Sequence, residues 1–398
     1  MTTSELAPLP FHRTVVEELQ RLEPELWRWF SSAEASTQHE DEVRQELLKS
    51  TYRLDPAAHA EAYAAVERAK DALGLTAAVT LYQVQGATEL NASVLPLADE
   101  AHIVFSGPAL TLLTADELVA VLAHELAHFA LWHLDERAYF VAERMLTAFA
   151  NDSRAHVAHL AADRRFALTT EVFADRAGLV ATGDIAVAVA SLVKMTTGLA
   201  AVDAPSYLRQ ADEVFAKAPV AAQGLTHPEP FIRARALRLW GEQGAAADGE
   251  TEALITGPLD LDALDLVQQV RVSELTRGLL EVFVAPRWLQ SEELLAHVRL
   301  FFADAAPGAS GRAEVAAGWR ALLAGARPSL LDYIAYVLLD LATADPDLDD
   351  NALAAAFTWS DELDIVDAFD AVVARELELT KPQVTKRRAA AAELLERM

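Results

Sequence analysis

The sequence predicts a mainly helical, α+β protein, and three observations carry that prediction. Hydrophobic residues make up 52% and charged residues 23% of the 398, with only 16 Gly and 16 Pro, which is the composition of an ordered globular chain with long uninterrupted elements. Apolar residues recur at helix spacing from Phe11 to about Leu75, and again after Thr114 and after Asp260. Between Ala77 and Phe105 the period changes to that of short strands, so a small sheet interrupts the helices. A chain of this length buries a sizeable core and has room for two or three domains.

Composition also excludes function classes. With no Cys there is neither a disulfide framework nor a thiolate metal site, so any zinc must be held by His and carboxylate. A formal charge of −27 argues against nucleic acid or an anionic membrane as the main partner and favours solubility. Met1-Thr2-Thr3-Ser4-Glu5 lacks the basic and apolar regions of a signal peptide. The most apolar run, Ile185 to Val193, is bounded by Asp184 and Lys194 and falls short of the roughly twenty residues a membrane span needs. The expected address is cytoplasmic.

In chain order, residues 1–75 form an N-terminal helical segment in which Val15, Leu19 and Leu22 share a face, and Trp27, Trp29 and Phe30 are expected to pack it onto the body. Gln38 to Glu46 reads as a solvated helix face or a loop. Strands are predicted at Val79–Val84, Ser93–Leu97 and His102–Phe105, with Gly86 and Ser106-Gly107-Pro108 as punctuation. A free edge of such a sheet can hold an extended peptide by main-chain hydrogen bonds.

Thr114-Ala115-Asp116-Glu117 then reads as a capping box opening a long helix. That helix carries His124-Glu125-Leu126-Ala127-His128, the pattern H-E-x-x-H. Residues four apart lie one turn above each other, so both imidazoles can grip one ion, and the glutamate stands beside it where it can take a proton from water. The helical pattern is predicted to continue through Arg144 and Met145 to a break at Asn151. His133 lies off the ligand face and the following Gly is missing, so the longer metzincin pattern fails. His156 and His159 read as ordinary helix residues.

Zinc held by two histidines needs a third protein ligand and an open position. Glu171 supplies one from a second helix, and Asp175, one turn on, can accept the other N–H of a ligand histidine. Further on, Thr226-His227-Pro228-Glu229-Pro230-Phe231-Ile232-Arg233 starts a helix running to about Trp240. His227 and Arg233 there can donate to a developing oxyanion, or be a turn residue and a surface arginine.

Together these pieces resemble the integral-membrane CAAX prenyl protease and HtpX heat-shock protease family with its soluble relatives, whose gluzincin pattern is a strand, H-E-x-x-H, E-x-x-x-D and H-P-x-x-x-x-R. The resemblance covers about residues 75 to 240, and Asn91-Ala92 looks like the family's Asn-Ala segment on the substrate-side strand. It implies a gluzincin-type helical catalytic domain with one Zn2+ per chain on His124, His128 and Glu171. It implies Glu125 as general base and then proton donor, Asp175 behind the ligands, and His227 and Arg233 stabilising the tetrahedral intermediate. The family's best-known members are membrane-embedded, and this chain has no spanning segment, so their prenylated or membrane substrates are not carried over.

Beyond the catalytic domain, 76–240, residues 241–257 read as a small, polar linker, and 258–398 as an acidic helical domain. Leu338 to Asp350 with its following helix weakly resembles the TerB-like helical domain. Asp345, Asp347 and Asp349 suggest a calcium loop, but Asp350 stands where an EF-hand needs Gly and Ala356 where it needs Glu, leaving a capped helix–helix turn. Lys386-Arg387-Arg388 reads as a solvated helix end. This domain is free to dock a regulatory partner, occlude the cleft or self-associate. The sequence thus predicts a zinc metalloendopeptidase acting on a peptide or protein substrate, open to being held latent by its flanking helices; the alternative is a catalytically silent binding or scaffold protein with the same fold.

Overall fold

A computed structural model describes residues 6–32, 37–95, 100–217 and 220–395. Met1–Glu5 and two positions of the second predicted strand, Pro96 and Leu97, lie outside these. The chain divides into two units, Met1–Gly257 and Pro258–Met398.

In the first unit, helices α1 (Pro10–Leu22), α2 (Pro24–Phe30), α3 (Thr37–Ser50) and α4 (Ala60–Leu73) are followed by the strand region. After it come α5 (Ala109–Leu112), α6 (Ala115–His133), α7 (Ala138–Asn151), α8 (Val157–Thr182), α9 (Ile185–Thr197), α10 (Ala204–Phe215), α11 (Pro230–Gln243) and α12 (Asp248–Thr256). The strands are β1 (Thr51–Arg53), β2 (Ala78–Val84), β3 (Asn91–Leu95) and β4 (Glu100–Ser106), in the order β1-β2-β4-β3. β2 and β4 run parallel and the outer pairs antiparallel, which leaves β3 at an edge. The fold is the mainly helical α+β architecture that the sequence predicts.

Alternation sets the sheet's inner face: Ala101, Ile103 and Phe105 are fully buried and pack with Val66 and Ala69 of α4 and with Val119, Leu122 and Leu126 of α6. α6 begins at the predicted capping box. The Glu117 N–H donates to Thr114 Oγ1 at 3.3 Å, and the Thr114 N–H donates to the Glu117 carboxylate at 2.8 Å. The same carboxylate pairs with Lys194 of α9 at 2.8 Å, both groups being buried, so the head of α6 is fixed to α9 as well as capped. α6 and α8 lie along each other at Gly178, where a Cβ would stand 3.0 Å from the Ala120 carbonyl oxygen and would have to push the two backbones a few tenths of an ångström apart.

Several local expectations are corrected. Thr51–Arg53, inside the region read as helical, pairs with Val84–Tyr82 as an added edge strand. Trp29 is exposed and only Trp27 and Phe30 are half-buried, so this aromatic group does not pack inward as a whole. The helical run after His128 is interrupted after His133 and resumes as α7, which carries Arg144 and Met145 and ends at Asn151 as expected. Asp135, Glu136 and Arg137 all take positive φ at the interruption, and no Gly or Pro marks the turn in the sequence. The predicted linker 241–257 is folded: α11 runs to Gln243, a 3-10 turn follows, and α12 buries Thr251 and Ile255 against the first unit. Its small polar residues have the composition of a linker, yet Ala245, Ala246 and Ala247 are equally suited to a tight helical turn.

The second unit consists of α13 (Leu266–Phe283), α14 (Glu292–Phe301), α15 (Arg312–Leu323), α16 (Pro328–Thr343), α17 (Asp349–Glu362), α18 (Val366–Glu376) and α19 (Lys381–Leu395). Leu330, Ile334, Leu338 and Leu341 of α16 recur at helix spacing and are fully buried, packing with Trp319, Trp359 and Phe369 in a core of the unit's own. The acidic turn before α17 is closed by the Asp347 N–H donating to Asp345 at 2.8 Å. Arg388 is not the solvated helix end expected of it: it bonds to Asp370 at 2.6 Å and Asp361 at 2.8 Å and tacks α19 onto α17 and α18.

Candidate metal centre and active site

The residues at the centre of the first unit come from three helices and one loop. α6 presents His124, Glu125 and His128, α8 presents Glu171 and Asp175, and α11 carries Arg233 just after the loop that holds His227. On α6 the two histidines face the same point, their Nε2 atoms 3.3 Å apart. Glu171 completes the group, with Oε2 3.5 Å from His124 Nε2 and Oε1 3.6 Å from His128 Nε2. Two nitrogens each about 2.05 Å from one zinc in a tetrahedral arrangement would be about 3.3 Å apart, so the three donors have the spacing of a tetrahedron's face. Glu171 Oε2 is buried and receives no hydrogen bond; Arg233 Nη1 approaches it to 3.3 Å without hydrogen-bond geometry. An acceptor left bare among two imidazole nitrogens fits a cation, and among the described residues these three form the group able to hold one.

Behind the donors, Asp175 Oδ1 lies 3.1 Å from His124 Nδ1. This fixes the tautomer that leaves Nε2 free. Arg233 grips Asp175 with both arms, Nε to Oδ2 at 2.7 Å and Nη2 to Oδ1 at 2.5 Å. The charges follow from burial and these partners. Burial is the largest influence and opposes ionisation of Asp175 and Glu171, but the Arg233 guanidinium and the neighbouring histidines together outweigh it and hold both carboxyls below their ordinary range. Burial pushes His128 down to about 4. For His124, burial is outweighed by Asp175, Glu171 and Glu125, and its pKa is raised. Glu125 is pushed up to about 7, chiefly by burial, against His124 and a backbone hydrogen bond from Val94 of β3.

His227 is the exception among these groups. Its side chain is 61% exposed where those of His124, His128, Glu171, Asp175 and Arg233 are 7–16% exposed, and its Nε2 stands 3.4 Å from Glu171 Oε1. His133 turns away and bonds to the Phe129 carbonyl at 2.7 Å, and His156 and His159 sit at the head of α8, as ordinary helix residues. Arg233 stands at the predicted place in a different posture, its fork spent on Asp175. The sequence reading missed Thr226, whose hydroxyl is 2.9 Å from His227 Nδ1, and no spacing pattern would have flagged it.

The site opens into a cavity of about 380 Å3 between the β3 edge and α6, α8, α9 and α11, with Asn91 and Ala92 on one wall and Val121, Leu192 and Met195 on another. A cleft that brings together a buried glutamate, three donors able to hold a cation and an edge strand is the arrangement of a metal-dependent hydrolase of extended chains. Residues 56–241 match the model of peptidase family M48, and the catalytic unit that they form belongs to that family of metallopeptidases. No curated protein and no solved structure matches the chain. Peptides or proteins are accordingly its substrates. Among the described residues no helix is long and apolar enough to cross a membrane.

Proposed function

We propose that the chain is a zinc endopeptidase that holds its metal on His124, His128 and Glu171. The observation that supports this most directly is the near-tetrahedral spacing of the two imidazole nitrogens and Glu171, whose buried Oε2 accepts no hydrogen bond among the described residues. A zinc ion bound there supplies Lewis acidity, polarising the scissile carbonyl and bringing the pKa of water down to about 7.

The chain's own residues do the rest. The substrate lies extended along the β3 edge beside Asn91 and Ala92, with a side chain entering the cavity. Glu125 takes the proton from the attacking water and passes it to the leaving amine. His227, the exposed donor at the site, hydrogen-bonds the oxyanion of the tetrahedral intermediate. Arg233, predicted as a partner in that task, holds Asp175 and faces Glu171, and so keeps His124 and Glu171 in place. Latency under the flanking helical regions belongs to the same proposal as a mode of control.

The test is metal content measured together with casein cleavage, for the wild type and Glu125→Gln. About one zinc per chain in both proteins, with cleavage by the wild type alone, is the expected outcome. Zinc in both with cleavage by neither would favour the silent scaffold or latency, and absence of zinc from the wild type would overturn the reading.

A further inference from the structure

His227 is the one group of the site that packing does not place. The loop that bears it, 220–229, is instead clamped from two sides. On one side is Arg164 of α8, which donates from Nε to the Gly224 carbonyl at 2.9 Å and from Nη2 to the Ala222 carbonyl at 2.6 Å. Arg164, Leu168, Glu171 and Asp175 share one face of α8. Seven residues, or two turns, separate Arg164 from Glu171, a rise of about 10 Å along a rigid helix. One helix therefore fixes both the metal-binding carboxylate and the loop opposite it.

The loop itself is closed tightly. A Cβ on Gly224 would stand 1.9 Å from the His227 carbonyl oxygen, so the chain folds back on His227 with no room for any other residue. The Gln223 N–H donates to the Glu229 carboxylate at 2.9 Å at the head of α11. On the other side, the Ala222 N–H donates to the Leu254 carbonyl of α12 at 2.9 Å. At the tip, the Thr226 hydroxyl 2.9 Å from His227 Nδ1 sets the ring; when it donates there, the ring proton sits on Nε2, facing the site.

We propose that Arg164 is a positioning residue for His227, holding the 220–229 loop so that Nε2 meets the developing oxyanion. This rests on the reading of His227 as the oxyanion donor, and it goes beyond it by assigning the placement of that donor to a side chain outside the reacting groups. Burial lowers the pKa of Arg164, against a rise from Glu229, and a half-buried arm forked onto two carbonyls is a committed contact, not a freely solvated charge.

The experiment is a double-mutant cycle with Arg164→Ala and His227→Ala, read as kcat, KM and zinc content, with amide hydrogen exchange on the same proteins. Loss of an oxyanion donor typically lowers kcat about 100-fold or more, and a misplaced one is expected to cost about tenfold or more. Arg164→Ala should lower kcat by that factor with KM and zinc content nearly unchanged, and should add little in the His227→Ala background. Arg164→Lys, able to reach one of the two carbonyls, should recover part of the loss. Exchange at the Ala222 and Gln223 amides should rise while α8 around Glu171 stays protected. Full activity in His227→Ala would remove the donor reading and the proposal with it. Loss in His227→Ala but wild-type kcat in Arg164→Ala, or losses that multiply, would overturn the positioning role alone. Unchanged exchange in the loop overturns it whatever the turnover.

Discussion

At the scale of single residues, Asp175 connects two structures. It bonds to His124 through Nδ1 and takes both arms of Arg233, so its charge is shared between an imidazole and a guanidinium that are both largely shielded from solvent. Replacing it with Asn keeps the shape and removes the charge. The Arg233 fork then faces a neutral amide, and His124 loses the carboxylate that raises its basicity. Asp175→Asn is expected to bind zinc about 10- to 100-fold more weakly, in line with other groups that support metal ligands from behind. Competition with a chelator measures it; an unchanged affinity would mean that helix packing alone orients His124. The spacing E-x-x-x-D made Asp175 legible in the sequence as the partner of a histidine. Arg233 was legible only as a position, because a fork that closes on a carboxylate 58 residues away leaves no trace in local pattern.

At the scale of elements, α1 shows what periodicity reveals and what it hides. Val15 and Leu19 lie on the buried stripe the pattern predicts, whereas Leu22 is exposed, and His12 is fully buried at the same interface. There it receives the Leu9 N–H at Nδ1 and lies 3.0 Å from Thr170 Oγ1 at Nε2, the residue before Glu171. Burial, and then the nearby Arg176 and Arg13, push His12 from 6.5 down to about 3. In the unfolded chain it titrates near its ordinary value, so the unfolded state binds the proton first. The stability linked to neutral His12 is therefore complete above about pH 6.5 and is lost as pH falls from there towards about 3, a term of at most several kcal/mol at about 1.4 kcal/mol per unit. His12→Gln should be less stable than the wild type at pH 7 and should lose less stability between pH 6.5 and 4, as read by urea unfolding across pH. Carboxylates contribute equally to both proteins and cancel in the difference; parallel curves would show that acid acts elsewhere. The strands and the α6 cap were legible because alternation and S/T-x-x-E spacing are local. The end of α6 at His133 and the short strand at Thr51–Arg53 were not: three consecutive non-glycine residues with positive φ carry no Gly or Pro signal, and a three-residue pairing is set by its partner strand.

At the scale of the whole molecule, the question is where the catalytic unit ends, because a test for latency depends on the cut. The sequence places a linker at 241–257, and a truncation anywhere in it would then be harmless. In the structure that segment is part of the unit. Asp248 pairs with the buried Arg176 at 2.8 Å, Glu252 pairs with Arg165 at 2.5 Å, and Leu254 anchors the His227 loop. Removing α12 would leave Arg176 buried without its counter-charge, a change that typically costs about 3–5 kcal/mol. The cut that separates the two units falls after Gly257, where each keeps its own buried core. A chain ending at Gly257 is expected to fold, bind about one zinc and cleave casein, whereas one ending at Gly241 should lose stability and activity together. Comparison of the Gly257 truncation with the full chain then isolates the acidic helical unit. A rise in casein cleavage would assign it an inhibitory role, and equal rates would leave it to partner binding or self-association, which light scattering of the full chain would distinguish.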